Sequence, residues 1–450
     1  METEKSSLKG MRGFTIIWLG QFSSMLGTTM SQFALTIWAW EKTGTATALA
    51  LAGLAFVLPN ILVYPVAGAL VDRLNRKLVM MLSDIASGIG TVTILLLYTA
   101  GILEIWHLYV VFVFMGLFQS FQFPAYSAAV STMIEKEQYG RASGMLSLAQ
   151  SASGIFAPIA AGILIGIIGT SGILILDLCT MTLAIGALLI VQIPKSASTG
   201  VKAKTSLLQD SLFGFRYILA RKGLLGLQLI FFLINFTGSL CFPLLAPMIL
   251  SQTGNNTVIL GTVNSAFGAG GVVGGLILSA WGGPKKRVHG VLAGMALSCL
   301  LGYTVMGLGG SLYVWAAGAF IMMLFNPVIN GSNQAIWQSK VPPEMEGRVF
   351  SARAFIALMS QPIAMAITGP MADGFLLPGM MEGGALTPLF GWLVGVGPGK
   401  GISLLFLVMG LIGAVMGFGG YLVRDVRNVE EMIPDHDSIG SSSAEVAVAE

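Results

Sequence analysis

The sequence predicts an all-α membrane protein that crosses the bilayer many times. Hydrophobic residues make up 55% of the 450 residues and charged residues only 10%, whereas an ordinary soluble domain carries roughly 25% charged residues. Apolar segments of roughly 20 residues, long enough to cross ~30 Å of hydrocarbon, recur along the chain. This composition excludes a soluble globular protein and makes a role in nucleic-acid binding unexpected.

Twelve apolar segments are long enough to span the membrane, so we expect 12 transmembrane helices. The first segment is too long for a signal peptide and lacks a cleavage-like end, so we expect it to be the first helix. The predicted spans lie near 13–40, 46–71, 78–100, 105–133, 140–168, 171–193, 223–250, 257–281, 288–308, 311–338, 349–370 and 401–423.

Polar stretches divide these spans into two sets of six. Residues 1–193 form an N-terminal six-helix half and residues 223–423 a C-terminal one. The linker 194–222 is the longest internal polar stretch, and its residues 207–220 carry an apolar stripe that predicts a helix along the membrane surface. The acidic tail 424–450 is predicted to be disordered.

The basic residues predict the orientation. With the N-terminus in the cytoplasm, 22 of the 24 Lys and Arg residues fall in internal segments, and only Lys42 and Lys400 lie outside. Because basic residues are concentrated on the cytoplasmic side of membrane proteins, we expect both termini in the cytoplasm.

The two halves repeat each other at an offset of 207 residues. Gly68 corresponds to Gly275, and Glu137, Gly140 and Arg141 correspond to Glu344, Gly347 and Arg348. Two six-helix pseudo-repeats of this kind are typical of transporters whose halves rock about a site near the middle of the membrane.

Polar side chains form stripes on four of the predicted helices. Such a stripe faces either a water-filled cavity or a neighbouring helix to which it donates hydrogen bonds. Matching across the repeat favours a cavity, although hydrogen bonding between helices explains any one residue equally well. On helices 1 and 7 the stripes are Gln21, Thr28 and Gln32, and Gln228, Asn235 and Ser239. On helices 4 and 10 they are Gln119, Gln122 and Tyr126, and Asn326, Asn330, Asn333 and Gln334.

The turn between the second and third spans is dense in charge. Its pattern is G-x-L-x-D-R-x-x-R-K, formed by Gly68, Asp72, Arg73, Arg76 and Lys77 around apolar positions. An ordinary cytoplasmic loop explains the three bases but not the glycine and the acid at their spacing. The pattern resembles the signature loop between helices 2 and 3 of the major facilitator superfamily, so the resemblance implies the major facilitator fold.

In that fold helices 1, 4, 7 and 10 are central, which places the four polar stripes around one cavity, and helix 11 lies against helix 2. We therefore expect Asp72 to cap helix 11 or pair with Arg348 or Arg353 at its start, which would hold the cytoplasmic side closed. Arg76 would then be free to pair with Glu135 or Glu137.

Small residues surround a proline on the fifth span. Gly154, Pro158 and Gly162 resemble the glycine–proline helix-packing motif of drug antiporters in the superfamily, although packing of small residues in general is an alternative. Residues 369–374 (Gly-Pro-Met-Ala-Asp-Gly) and 395–401 resemble a bacterial branch that contains macrolide-efflux and siderophore-export proteins.

Acidic residues within the spans are the usual proton carriers, and this sequence has few. Asp84 and Asp177 each lie about two turns into a span, and both are proton-coupling candidates, with structural hydrogen bonding an equal alternative. The first helix has no acid before Glu41 at its outer end. The three cysteines and three histidines show no metal-ligand spacing, so we expect no metal and no cofactor.

The resemblance implies a secondary active transporter, not an enzyme, in the inner (cell) membrane of a bacterium. We expect a monomer in the lipid bilayer that works by alternating access and exchanges protons for an amphipathic, drug-like or siderophore-like small molecule, which would confer multidrug or macrolide resistance. The alternatives are a nutrient importer on the same fold and a transport-inactive scaffold or receptor.

Overall fold

The computed structural model describes residues 10–71, 74–134, 138–193 and 207–435. These residues are mostly helical and contain no strand, which confirms the all-α class. Asp72, Arg73, Glu135 and Glu137, together with residues 194–206 of the predicted linker and 436–450 of the predicted tail, lie outside the described residues.

Helices of the first half form most of one compact unit. This unit comprises Met1–Gly200 and two pieces of the second half, Pro243–Ser265 and Thr368–Gly374. Its helices are α1 (Gly10–Thr43), α2 (Ala46–Val71), α3 (Arg76–Thr99), α4 (Ile105–Met133), α5 (Tyr139–Ile190) and α8 (Leu245–Thr253), together with the start of α9 (Thr257–Trp281) and the end of α14 (Pro343–Met371).

Close packing in this first unit depends on small residues at the helix crossings. A Cβ atom at Gly20 of α1 would lie 2.9 Å from the Cβ atom of Ala187 on α5, so a larger residue there would force the two helices apart. At the end of the unit where α1 begins, Phe14, Ile17 and Met80 form a fully buried cluster with Leu188 of α5. These contacts bring α1 against both α3 and α5.

The second unit comprises Val201–Phe242, Ala266–Ile367 and Phe375–Glu450. Its buried core joins α7, α10 and α13 through Leu227, Val291, Ile336 and Trp337. The helices of this unit, in addition to the remaining parts of α9 and α14, are α6 (Leu207–Leu219), α7 (Lys222–Cys241), α10 (Arg287–Leu297), α11 (Thr304–Leu308), α12 (Leu312–Leu324), α13 (Asn326–Lys340), α15 (Leu377–Gly379), α16 (Thr387–Val394), α17 (Lys400–Gly419), α18 (Arg424–Arg427) and α19 (Val429–Met432).

The described residues contain ten helical segments that are long and apolar enough to cross a membrane. Two differences separate this number from the expected 12. Helix α1 has polar residues along its middle and is not among the ten, and Leu148–Ile190 counts as one segment. Gly169 interrupts that segment, because its backbone angles (φ 67°, ψ −179°) are not helical. The 12 spans stay a prediction, as does the division at 193, 222 and 423.

The start of the predicted disordered tail is folded against the second unit. Helices α18 and α19 bury Val426 and Val429, and Gly223 and Gly226 of α7 leave room for this segment. The ammonium group of Lys340, whose side chain is 3% exposed, lies 2.7 Å from the Asp435 carboxylate and donates to the carbonyl oxygens of Glu430, at 2.6 Å, and Ile433. Residues 424–435 are therefore folded, whereas the sequence predicted disorder. Burial of the two valines and the hydrogen bonds of the buried lysine stabilise this segment.

Substitution of Lys340 by methionine tests this contact. Lys340→Met should lower the stability of the purified protein by about 1–3 kcal/mol, because two backbone carbonyls lose a charged donor. It should also expose residues 424–435 to proteases. Thermal unfolding in detergent and limited proteolysis measure the two effects. Lys285→Met, at an exposed lysine, is the control and should change neither.

The same contact should weaken in acid. The Lys340 ammonium group holds the pKa of Asp435 below its usual value near 4 through a hydrogen bond. A carboxyl whose pKa is lower in the folded state contributes stability above its unfolded pKa and loses it as the pH falls through its folded pKa. We expect proteolysis of residues 424–435 to increase below about pH 4, and Asp435→Asn to show that increase already at pH 7. An unchanged digestion rate in Asp435→Asn would contradict this role.

Candidate functional site

A polar cavity of about 230 Å³ lies within the first unit, between α1, α3, α4 and α5. Five of the predicted cavity residues line it, together with both predicted proton carriers, and none of the described residues that line it is basic. From α1 and α4 the lining residues are Gln21, Ser24, Met25, Thr28, Thr29, Gln32, Gln119 and Gln122; from α3 and α5 they are Asp84, Ser87, Thr91, Asp177 and Met181.

Asp84 is held by two amide side chains at one end of the cavity. The Gln21 amide nitrogen donates to one carboxylate oxygen at 2.8 Å, and the Gln122 amide nitrogen donates to the other at 3.0 Å. Gln122 also donates to the Gln21 carbonyl oxygen at 3.0 Å, so the three side chains form a closed triangle. Asp84 is only 7% exposed, and its neutral partners supply hydrogen bonds but no compensating charge.

Asp177 is held in a similar way by two hydroxyl groups. Thr28 of α1 donates to one carboxylate oxygen at 3.0 Å, and Thr91 of α3 donates to the other at 3.1 Å. Gly27 permits this close approach, because a Cβ atom there would lie 3.0 Å from the Asp177 Cα atom. Asp177 is 4% exposed.

Helix α1 is therefore the element that connects the two acids. Gln21 and Thr28 are seven residues apart, which is about two turns or 10 Å along a helix, and each donates to one acid. The sequence allowed two interpretations of the α1 stripe, a cavity lining or hydrogen bonding between helices. Both apply, because Gln21 and Thr28 line the cavity and also donate hydrogen bonds to neighbouring helices.

Several lining residues were not anticipated from the sequence. Ser87 and Thr91 lie three and seven residues after Asp84 on α3, which is the spacing of one helix face. That spacing is a signal in the sequence, but it becomes meaningful only once Asp84 is known to face a cavity.

The structure places the other predicted cavity residues away from this cavity. Tyr126 packs against the apolar cluster around Met80, and its hydroxyl is buried. In the second unit, Gln228 is buried and donates to the Arg353 carbonyl oxygen, and buried Asn333 accepts from the Trp337 indole nitrogen.

The remaining three amides bond within their own helices. Asn235 donates to the carbonyl oxygen of Phe231, one turn earlier. Asn330 donates to Asn326, and both of these residues are exposed on α13. These three side chains are thus not buried in helix contacts, unlike Gln228 and Asn333.

Among the predicted gating residues, Arg76 and Lys77 begin α3, Gly68 lies within α2 and Arg348 within α14. The Lys77 ammonium group donates to the carbonyl oxygens of Leu189 and Val191 at 3.1 and 2.9 Å. It therefore caps the C-terminal end of α5, where a cation is favourable.

Arg353 is held within the second unit. Its guanidinium group donates to Gln334 at 2.9 Å and lies 5.3 Å above the Trp337 ring. Pairing of Arg353 with Asp72 stays a prediction, because Asp72 lies outside the described residues.

The glycine–proline segment of α5 packs closely against α9. A Cβ atom at Gly261 of α9 would lie 2.6 Å from the Pro158 carbonyl oxygen, and one at Gly162 would lie 2.9 Å from that of Thr257. Among the described residues, none has an atom within 4 Å of a Cβ atom at Gly154. The close contact therefore involves the second part of the predicted motif.

Known proteins match most of the chain. The family model of the Major Facilitator Superfamily matches residues 17–369. Macrolide efflux protein A of Streptococcus pyogenes is 28% identical over 365 residues, which are 80% of this chain and 89% of that protein. The enterobactin exporter EntS of Escherichia coli O127:H6 is 23% identical over 333 residues, which are 72% of this chain and 74% of that protein. These matches confirm the resemblance that the sequence motifs indicated.

Solved structures share the fold. A bacterial homologue of the human lysosomal transporter Spinster, in an inward-facing conformation, has a TM-score of 0.66 and 17% identity, and the match covers 90% of this chain and 96% of that one. A bacterial homologue of the iron transporter ferroportin has a TM-score of 0.62 and 17% identity, with 91% and 98% covered.

Truncation of Gln21 tests the triangle around Asp84. Gln21→Ala removes one donor to the buried carboxylate and the acceptor of Gln122, so it should destabilise the purified protein by about 1–3 kcal/mol. Gln32→Ala, on the same helix and cavity but at an exposed residue, should change stability by less than about 0.5 kcal/mol. Thermal unfolding in detergent measures both, and equal midpoints would show that the triangle contributes no stability.

Proposed function

Because this chain belongs to the major facilitator superfamily, whose model covers residues 17–369, we propose that it is a secondary active exporter that exchanges protons for an amphipathic small molecule. The family and the transporter names of its relatives indicate a transporter, not an enzyme. The observation that carries the finer proposal is the pair of buried acids, Asp84 and Asp177, on the wall of a polar cavity whose described lining residues include no base.

Each acid is suited to carry one proton. A buried carboxyl group carries no charge when it is protonated. When it is ionised, hydrogen bonds from neutral donors stabilise its charge. The amides of Gln21 and Gln122 and the hydroxyls of Thr28 and Thr91 supply these hydrogen bonds. The same geometry would serve a purely structural role, and only the titration of the acids during transport distinguishes the two.

Proton exchange supplies enough energy for export. One pH unit across the membrane is worth about 1.4 kcal/mol per proton, which sustains a tenfold concentration ratio of an uncharged solute. If both acids release a proton in each cycle, the ratio becomes about a hundredfold. The protons would bind when the acids face the outside and leave when they face the cytoplasm, in step with alternating access.

The lining of the cavity favours a neutral or cationic substrate over an anion. Amides, hydroxyls and two methionines can contact varied apolar and polar groups, and the two acids repel negative charge when they are ionised. The names of two relatives, a macrolide efflux protein and an enterobactin exporter, support export as the direction.

The distribution of basic residues supports an orientation in the membrane. Because 22 of 24 Lys and Arg residues fall in predicted internal segments, we propose that both termini lie in the cytoplasm of a bacterium. We also propose that the protein is a monomer in the cell membrane.

Transport in proteoliposomes tests this proposal. Purified protein, reconstituted with erythromycin and a panel of cationic amphipathic dyes as probes, should move at least one probe uphill under an imposed pH gradient. Asp84→Asn and Asp177→Asn should each reduce uphill transport about tenfold or more, while exchange of the probe without a gradient continues, because the carboxamide resembles the protonated acid. An entrapped pH dye measures the accompanying proton flux.

Glu41→Gln is the matched control, since Glu41 is an exposed acid at the far end of α1. It should transport as the wild type does. Uphill transport that survives in the double variant Asp84→Asn/Asp177→Asn would contradict coupling through these acids. Accumulation of a probe in the opposite direction would favour an importer, and no movement of any probe would favour a transport-inactive scaffold.

A further inference from the structure

The outer end of α14 crosses the start of α2 at very short range. A Cβ atom at Gly369 would lie 2.5 Å from the Thr47 Cα atom. One turn later, Asp373 accepts from the backbone N–H of Ala46 at 2.9 Å and from that of Thr47 at 2.7 Å, one with each carboxylate oxygen. These N–H groups open α2 and have no partner within their own helix, and a negative charge there is favourable.

The repeat contains a second crossing of the same kind without the acid. At the offset of 207 residues, Gly369 corresponds to Gly162 of α5, which crosses the start of α9 at Thr257. The hydrogen bond there joins neutral groups, from the Thr257 hydroxyl to the Gly162 carbonyl oxygen at 3.1 Å. The position that corresponds to Asp373 is Gly166. Close helix packing alone therefore does not need the carboxylate.

The acid lies where α14 passes from one compact unit to the other. Thr368–Gly374 belongs to the first unit, although the preceding residues of α14 and the chain from Phe375 onward belong to the second. The helix changes to π-helical geometry over Ala372–Leu376, and such local bulges are frequent at functional sites in helices. Asp373 thus fixes a short piece of a second-half helix to a first-half helix.

We propose that Asp373 is a gating residue: its two hydrogen bonds to the start of α2 hold the outer side closed, and they break each time the cavity opens to the outside. This contact lies at the first residues of α2, whereas Asp72 follows its last residue. The outer role of Asp373 therefore differs from the cytoplasmic role expected of Asp72. It requires neither a particular substrate nor proton binding at Asp84 or Asp177.

Thiol labelling from outside tests this role in the full-length protein. Ala46 is fully buried, so a cysteine at this position reacts with a membrane-impermeant maleimide only when the contact opens. In a variant with the three native cysteines replaced, Asp373→Ala, which removes both acceptor oxygens, should increase the labelling rate of Ala46→Cys about 2- to 30-fold. This range corresponds to the loss of a helix-capping contact of about 0.5–2 kcal/mol.

Glu382→Ala is the matched control, because Glu382 is an exposed acid nine residues later in the chain, and it should leave labelling unchanged. Gly369→Ala is the second variant, in which the added Cβ atom must push α14 from Thr47 while the carboxylate remains, and it should also increase labelling. It decides the question if Asp373→Ala does not reach the membrane. Labelling at the wild-type rate in either folded variant would overturn the proposal.

The labelling result is independent of the exporter proposal. The assay needs no substrate and no pH gradient, so labelling can increase in a protein whose Asp84 and Asp177 prove to be structural. Conversely, loss of transport in Asp84→Asn with unchanged labelling at position 46 would separate the cavity acids from the outer gate.

Discussion

The main constraint on this structure is that a carboxylate buried among membrane-spanning helices needs hydrogen-bond donors. Helix α1 meets this need twice, through Gln21 at Asp84 and Thr28 at Asp177. To reach both acids, α1 must pack tightly against α3 and α5, and Gly20 and Gly27 make that approach possible. The polar cavity is the space left along this contact. Stability and the candidate transport site therefore depend on the same few side chains.

The two units solve the problem of buried polar groups in different ways. In the first unit, the acids and their donors line an open cavity. In the second, Gln228 and Asn333 are buried in contacts with Arg353 and Trp337, and the buried ammonium group of Lys340 binds the chain that follows the last long helix. The two units thus differ in how they use their polar residues.

Charge at helix ends recurs at several points in the fold. Asp373 binds the N-terminal N–H groups of α2, Glu430 accepts from Val288 at the start of α10, and Lys77 binds the last carbonyls of α5. Each contact joins a helix end to a residue distant in sequence and has the sign that the helix dipole favours. Such contacts are specific in geometry and modest in energy, so they can form and break as helices move.

The sequence by itself determined the membrane class, the helical content and the family, because these depend on the apolar length of segments and on local motifs. It also identified Gln21, Thr28, Gln122, Asp84 and Asp177 by their polarity within apolar spans. Only the tertiary structure decided which of these pair, because pairing depends on the rotation of α1 against α3 and α5, which helical periodicity does not define. For the same reason Gln228 and Asn333, which match the pattern equally well, are buried in packing contacts. The folded start of the tail likewise depends on Lys340, some 90 residues away in sequence, and no local pattern records so distant a partner.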